Sequence, residues 1–354
     1  MKRWISKGLL FGFLLTLISC ATTMNMIIEV EKPAVITLPL TTQRIIIVNN
    51  ALPQPVGYGL NPPSGKQPDD DSIYVRTLEN AAWLLITETF NKLKSSEFFP
   101  SVSFYKQPLR EGSEWLSVIP LKKEVQDDFL ENEQFDLLIS IDRLLFSATV
   151  SSKVSGVEDG SLKALLTFSA YLHDRDEPVI SHLTVIDSVR ASYNLSHDDY
   201  DPSRRSYEHL VSEMVRYSIY QLGEKLRYFF APGWESAERI YFVKNLYDMG
   251  KTAGYIDHRA WDEAKLAWTS EFETAKKAAD KAKLATNIAL ACEMNDEFSA
   301  AGEWAEKAKT FFQNASSKKH SKEIKYLDEY VKVLQERERN NVKLNEQYGV
   351  LGKR

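Results

Sequence analysis

TNIALACEMNDEFSAAGEWAEKAKTFF, residues 286–312, is the stretch on which the fold turns. An alanine-rich run carrying Asn287, Ile288, Ala289 and Ala291 leads to the turn pair Asn295-Asp296. Phe298, Ala301, Ala305 and Ala308 follow, and their spacing of three and four residues puts them on one helical face. Two helices joined by a short turn are predicted. Nothing in the stretch gathers its cysteine, carboxylates and lysines into a reacting group. It reads as a packing unit: the alanines let two helices meet, the carboxylates face water, and Cys292 fills core.

The spacing occurs again upstream. RAWDEAKLAW, residues 259–268, places Trp261 and Ala264 at an offset of 37 residues from Phe298 and Ala301. This pair of hairpins resembles the tetratricopeptide repeat, whose two helices need small residues where they touch. That family prefers Gly-Asp or Gly-Asn at the turn, and Asn295-Asp296 departs slightly. Its period is about 34 residues, so a few extra lie between the two units here. The resemblance implies repeat packing through Trp261, Ala264, Asn287, Ala289, Phe298, Ala301 and Ala308. KEIKYLDEYVKVLQERERNN, residues 322–341, then serves as a capping helix. Two units fall short of the roughly three needed by a free-standing solenoid.

At the other end, MKRWISK is basic, GLLFGFLLTLIS carries no charge, and Cys20 follows. A charged start, a short apolar core and a small residue before the cut describe a secretory signal. The apolar run is too short to span a bilayer comfortably. Leu17-Ile18-Ser19-Cys20 resembles the lipobox of bacterial lipoproteins. The resemblance implies cleavage before Cys20, a diacylglycerol on its thiol and acylation, palmitate for example, of its amine. Several acyl chains anchor far more firmly than one, at about 0.8 kcal/mol per buried methylene. Ala21-Thr22-Thr23 supplies neither the aspartate of inner-membrane retention nor an acidic export signal, which implies the periplasmic side of the outer membrane. The other reading is an ordinary secretory signal ending near a cysteine. Loss of Lys2, Arg3 and Lys7 shifts the side-chain charge from −5 to −8. With no long basic run, nucleic acid is not an expected partner. A single remaining cysteine, Cys292, excludes a disulfide within the mature chain.

Between these ends, residues 20–32 show no clear pattern and read as a lipidated tether. AVITLPL (34–40) and RIIIVNNAL (44–52) read as strands, the second buried on both faces. A Pro-, Gly- and Asp-rich loop precedes one helix over DSIYVRTLENAAWLLITETFNKLKSSEFF, capped by Ser72, with Leu78, Ala82, Leu85, Ile86 and Phe90 on one face. SVSFYK is a strand and PLKKEVQDDFLEN a shorter helix. FDLLISIDRLLFSATVSSKV is a long strand, bulged near Asp142. GVEDGS makes a turn, and two strands follow, joined at Asp174-Arg175-Asp176-Glu177. A long helix stops at Ala231-Pro232-Gly233, and from Trp234 on no strand is expected. The order is similar to the small α/β domain of outer-membrane lipoproteins of the curli-secretion and penicillin-binding-protein-activator types.

No Gly-rich phosphate loop, Gly-x-Ser-x-Gly elbow or His-Glu-x-x-His motif occurs. HDDYD, His197 to Asp201, with His173, His182 and His209 nearby in sequence, is the best candidate for a metal or small ligand; it lacks the glycine and distant glutamate of an EF-type loop, and a solvated loop ahead of a helix is the favoured reading. Glu88, Glu213 and Glu224 are isolated carboxylates, and no catalytic residue, metal ligand or cofactor is assigned. The helical half is rich in Trp and Tyr, mostly core. The chain as a whole resembles a family of uncharacterised bacterial lipoproteins with repeat-containing C-termini, on the lipobox, PAVITLP, IIIVNNA, PGWESAERIYF and the opening stretch.

The expectation is therefore an α+β protein. A signal peptide (1–19) and a lipidated tether (20–32) precede an α/β domain with a mixed sheet (33–232) and an all-α domain of tetratricopeptide-like helical hairpins (233–354). Its work would be that of an adaptor binding another envelope protein, held to the membrane by acyl chains on Cys20. The alternatives are a ligand-binding protein using the His197–Asp201 loop and a structural subunit of an envelope assembly.

Overall fold

The computed structural model describes residues 23–55, 57–60, 73–107, 109–110, 114–118, 121–152, 157–194, 202–243 and 254–349. Cys20, the signal segment 1–19 and the His197–Asp201 loop lie outside the described residues. In chain order the elements are β1 (Thr23–Lys32), β2 (Arg44–Asn49), α1 (Ile73–Glu79), α2 (Ala81–Ser95), β3 (Ser101–Tyr105), α3 (Lys123–Asn132), β4 (Leu137–Ser152), β5 (Val157–Leu172), β6 (Ile180–Asn194), α4 (Pro202–Phe230), β7 (Gly233–Phe242), α5 (Trp261–Thr274), α6 (Ala278–Met294), α7 (Phe298–Ser316) and α8 (Ser321–Gln347). The fold is α+β. Contacts divide it into two units. One is Pro33–Gly233 with the described residues after Asn345; the other is the described residues up to Lys32 with Trp234–Asn345.

The first unit is a five-stranded mixed sheet in the order β3-β2-β4-β5-β6. β2 pairs in parallel with β3 and β4, and β4-β5-β6 is an antiparallel meander. Parallel neighbours need helical crossovers, and these cover both faces of β2. Ile45 and Ile47 join Leu85, Ile86, Leu222 and Phe230 in the main core, while Ile46 and Val48 meet Phe129, Leu138 and Tyr171 on the other face. That is why RIIIV shows no alternation. In β4 the core positions are odd up to Ile141 and even from Leu144, because Asp142 is an extra residue between the pairs Ile141↔Phe168 and Arg143↔Thr167. The bulge expected near Asp142 is present. A second irregularity, at Ser169 between β5 and β6, lies beside it.

Past Asn49, β4 loses β2 as a neighbour. Gln54 takes over: its Oε1 accepts the Phe146 N–H (2.6 Å) and its Nε2 donates to the Phe146 carbonyl (2.9 Å). The same device recurs at Gln347, whose amide accepts from Ala34 N (2.9 Å) and donates to Ala34 O (3.0 Å). A side-chain amide carries one donor side and one acceptor side, so it can pair with a single residue as a neighbouring strand would.

In the second unit β1 and β7 form a two-stranded sheet, and α5 to α8 pack around Trp268, Phe272, Ile288, Phe312, Leu327 and Tyr330. Asn287, fully buried on α6, fastens β7 by accepting from Phe242 N (2.8 Å) and donating to Phe242 O (2.9 Å).

Five expectations are corrected. AVITLPL is not a strand; it is irregular, with a bend at Val35-Ile36, whose N–H groups donate to the Tyr228 and Phe229 carbonyls at the end of α4. Residues 23–32 of the expected tether are β1, with Ile28 and Val30 buried on alternate positions. The single helix after the Pro-rich loop is two, because the Asn80 side chain donates to the Arg76 carbonyl (2.8 Å) at the break. GVEDGS is not a turn from Val157 on, since β5 begins there. A strand does follow Pro232: β7 buries Arg239, Tyr241 and Phe242.

Candidate functional site

α7 presents two adjacent rows of side chains at i, i+4 spacing: Phe298, Gly302, Glu306 and Thr310, and Ser299, Glu303, Lys307 and Phe311. Opposite them α8 presents Val331, Leu334, Gln335 and Glu338. Between the two faces runs an open groove of about 700 Å³, within the usual range of binding clefts. Its floor is apolar: Phe298 and Leu334 are buried, and Phe311 and Val331 are half-buried. Gly302 keeps it open, since a Cβ built there meets nothing within 4 Å. The rim carries Glu303, Glu306 and Glu338 against one Lys307. Glu306 is partly neutralised by Lys309 (2.8 Å), which also reaches Asp328 (3.0 Å). Lys307 lies over the Trp304 ring, 4.3 Å from its centroid. The arrangement can hold an apolar segment and favours cations at its edges.

The groove ends at a buried ionic cluster. Glu293, with no exposed surface, accepts from Arg239 Nε and Nη2 (2.8 and 2.7 Å), Arg337 Nη1 (2.7 Å) and Tyr330 Oη (2.6 Å). Burial alone would push its carboxyl up, but the Arg239 hydrogen bonds, with those from Tyr330 and Arg337, hold it below the ordinary range. The carboxylates of the opening stretch were expected to face water, and Glu293 does not. The missing signal was the pairing with Arg239, 54 residues away. Arg337 also stacks on Phe298, 4.7 Å from the ring centroid, and so joins the cluster to the groove floor.

The residues expected to pack the repeat sit as follows. α5 begins at Trp261 and α7 at Phe298, so the offset of 37 joins equivalent helix starts. Ala264, Ala289, Ala301 and Ala308 are fully buried, and Trp261 and Phe298 nearly so. Asn287 clamps β7, a role no spacing revealed. Cys292 is buried, and burial pushes its thiol up to about 12 against the opposing pull of Lys265. Lys265 pairs with Glu297 across the helices. A thiol held that high is not a nucleophile.

In the sheet unit a second polar centre forms at the bulge. Asp142 accepts from Ser169 Oγ (2.6 Å) and Ser140 Oγ (2.5 Å), and His182 Nδ1 lies 3.3 Å from it and 3.2 Å from Ser169. Serine, histidine and aspartate meet here, yet both contacts fall on one ring nitrogen and Ser169 donates to the aspartate. A nucleophilic triad needs the two partners on opposite nitrogens. Burial raises the Asp142 carboxyl despite its hydrogen bonds from Ser140 and Ser169. Glu88 and Glu224, read as isolated, are brought together around Lys92 (3.8 and 3.5 Å), and Glu224 also holds Arg227 (2.6 Å). Among the described residues no group of three or more His, Cys, Asp or Glu is placed to hold a metal ion.

No curated protein matches the sequence. Among solved structures, the rare lipoprotein B of Shewanella oneidensis aligns at 10% identity over 52% of this chain and 93% of its own, with a TM-score of 0.24. A hypothetical protein of Chlamydia trachomatis, CT253, aligns at 12% identity over 53% of this chain and 97% of its own, with a TM-score of 0.29. Both scores are too low to carry a fold or a function across. A domain of unknown function (DUF6340) matches residues 251–336. A second (DUF8603) matches residues 42–242, more than half of the chain and nearly all of the sheet unit. The chain therefore belongs to the DUF8603 family.

Proposed function

We propose that this protein is a lipid-anchored binding protein of the cell envelope, an adaptor rather than an enzyme, whose helical unit receives a segment of another envelope protein. The observation that carries the reading is the α7–α8 groove. It has a floor of Phe298, Phe311, Val331 and Leu334 and a rim with an excess of carboxylates. That chemistry suits an amphipathic helix with an apolar stripe flanked by lysine or arginine. The lipobox at Cys20 supports membrane anchoring, and no described helix is long and apolar enough to cross a bilayer. The hairpin α6–α7, the equivalent start of α5 at Trp261 and α8 in the capping position support a tetratricopeptide-like class for this unit.

The test is fluorescence anisotropy with two labelled amphipathic peptides sharing one apolar stripe, one flanked by lysines and the other by glutamates. The basic peptide is expected to bind at least tenfold more tightly. Gly302→Trp fills the groove and is expected to abolish binding while the circular dichroism stays unchanged. Equal binding of both peptides, or undiminished binding by Gly302→Trp, overturns the reading.

A further inference from the structure

We propose that Arg110 and Arg143 form a receptor for a small oxyanion, a phosphate group, at the carboxyl end of the parallel strands. Arg143 follows the bulge in β4, just past the last β2–β4 pair, Asn49↔Ile141. Its Nη1 donates to the Leu116 carbonyl (2.8 Å) and its Nη2 to Thr167 Oγ1 (3.4 Å). Arg110 comes from the segment beyond β3 and donates through Nη2 to the Glu114 carbonyl. Both guanidinium groups thus lie against one turn, closed by Ser117 N to Glu114 O at 3.2 Å.

The approach of Arg110 is fixed from below. Asn50, directly after β2, accepts from the backbone N–H groups of Leu109 (2.8 Å) and Arg110 (3.0 Å), and donates to Ser140 (2.8 Å). The loop is therefore tied to β4 at the level of the bulge. In open sheets of this kind the crevice beyond the carboxyl ends of parallel strands, where connections leave in opposite directions, is where ligands are held. Here the connections from β2 and β3 cover opposite faces of the sheet.

What points to an anion is the state of the donors. Arg110 Nε and Nη1 and Arg143 Nε are buried from solvent without a hydrogen-bond partner, and neither arginine has a carboxylate within ion-pair distance among the described residues. Buried donors are almost always satisfied, and orphaned ones call for a partner. Among the described residues the nearby acids are engaged elsewhere: Asp142 with Ser140, Ser169 and His182, and the Glu114 carboxylate with Ser117 Oγ (2.6 Å). The guanidinium fork matches a phosphate or carboxylate oxygen pair, so a single oxyanion between the two would supply the missing acceptors and the missing countercharge. Both side chains are half-buried, which leaves a path from the surface.

The experiment follows melting temperature and titration heat of the full chain in inorganic phosphate against chloride at matched ionic strength. A second arm uses dihexanoyl phosphatidylglycerol below its micelle concentration. A saturable rise with free phosphate is expected if the anion comes from solution, and with the phospholipid alone if it is a headgroup; either result supports the site. Arg110→Met and Arg143→Met are each expected to abolish the rise, and the lysine variants to weaken binding at least tenfold. Arg175→Met, on the exposed hairpin, should keep it. No saturable response to either probe, or an equal response in the methionine variants, overturns the proposal.

Discussion

Asp136 and Asp142 stand at the base and the bulge of β4 and respond to pH in opposite directions. Asp136 accepts from the backbone N–H groups of Gln43 (2.9 Å) and Arg44 (2.8 Å) and pairs with Arg44 Nη2 (2.8 Å). The Arg44 hydrogen bond and these amides hold its carboxyl at about 2, below the ordinary 3.8. Its stabilisation is therefore present above about pH 4 and lost as the pH falls towards 2. Asp136→Asn is expected to lower the melting temperature at pH 7 by roughly 4–8 °C, from about 2 kcal/mol of charge-assisted hydrogen bonding. The gap from wild type should narrow at pH 3; a gap that stays constant contradicts the assignment. Asp142, raised by burial, has the reverse sign: its ionised form costs stability at neutral pH, so Asp142→Asn should be neutral or stabilising at pH 8. The irregularity at Asp142 was legible because a charge interrupts an apolar strand. Its partners Ser169 and His182 were not, since pairing register is set by the whole sheet.

Among elements, α6 and α7 were the most legible, because alanines at helical spacing have few other uses. Ala301 has no exposed surface, and neither do Ala289 or Ala305. Ala301→Leu is expected to destabilise the helical unit by about 1–3 kcal/mol through overpacking, read as a lower urea midpoint. One residue on, Gly302 faces open space, and Gly302→Ala should stabilise the helical unit by up to about 1 kcal/mol through helix propensity alone, read as a higher urea midpoint. An unchanged midpoint for Ala301→Leu would mean that α6 and α7 do not meet there. β1 and β7 were illegible for a physical reason. Each is half-exposed and rich in charge, and the strands are separated by some two hundred residues, so neither carries its partner in its own neighbourhood. The groove was half-legible: the rows on α7 follow from spacing, but that α8 leaves them uncovered does not.

At the scale of the molecule, Ala231-Pro232-Gly233 located the end of α4 at Phe230. The buried strand β2, the meander and the closing helix α4 stand where the pattern put them. What the pattern could not supply was long-range electrostatics. Glu293 looks like any surface glutamate until Arg239, Tyr330 and Arg337 surround it. The anchor remains a statement of the leader sequence. Metabolic labelling with palmitate is expected to mark the wild-type chain, and Cys20→Ala should lose the label and leave the membrane fraction. Retention of label by the variant would remove the lipobox reading.

Gln54, Asn287 and Gln347 each hold one residue's N–H and C=O with a single amide, and this gives the protein a built-in clock. Hydrolysis of such an amide to a carboxylate turns its donor half into a second acceptor, aimed at a carbonyl oxygen. The change adds about one dalton and one negative charge and undoes the pairing in the same event. Because Asn287 is enclosed, water and a freed backbone reach it only while β7 has let go of α6. In stored material the fraction carrying that extra dalton would record how often the helical unit has opened.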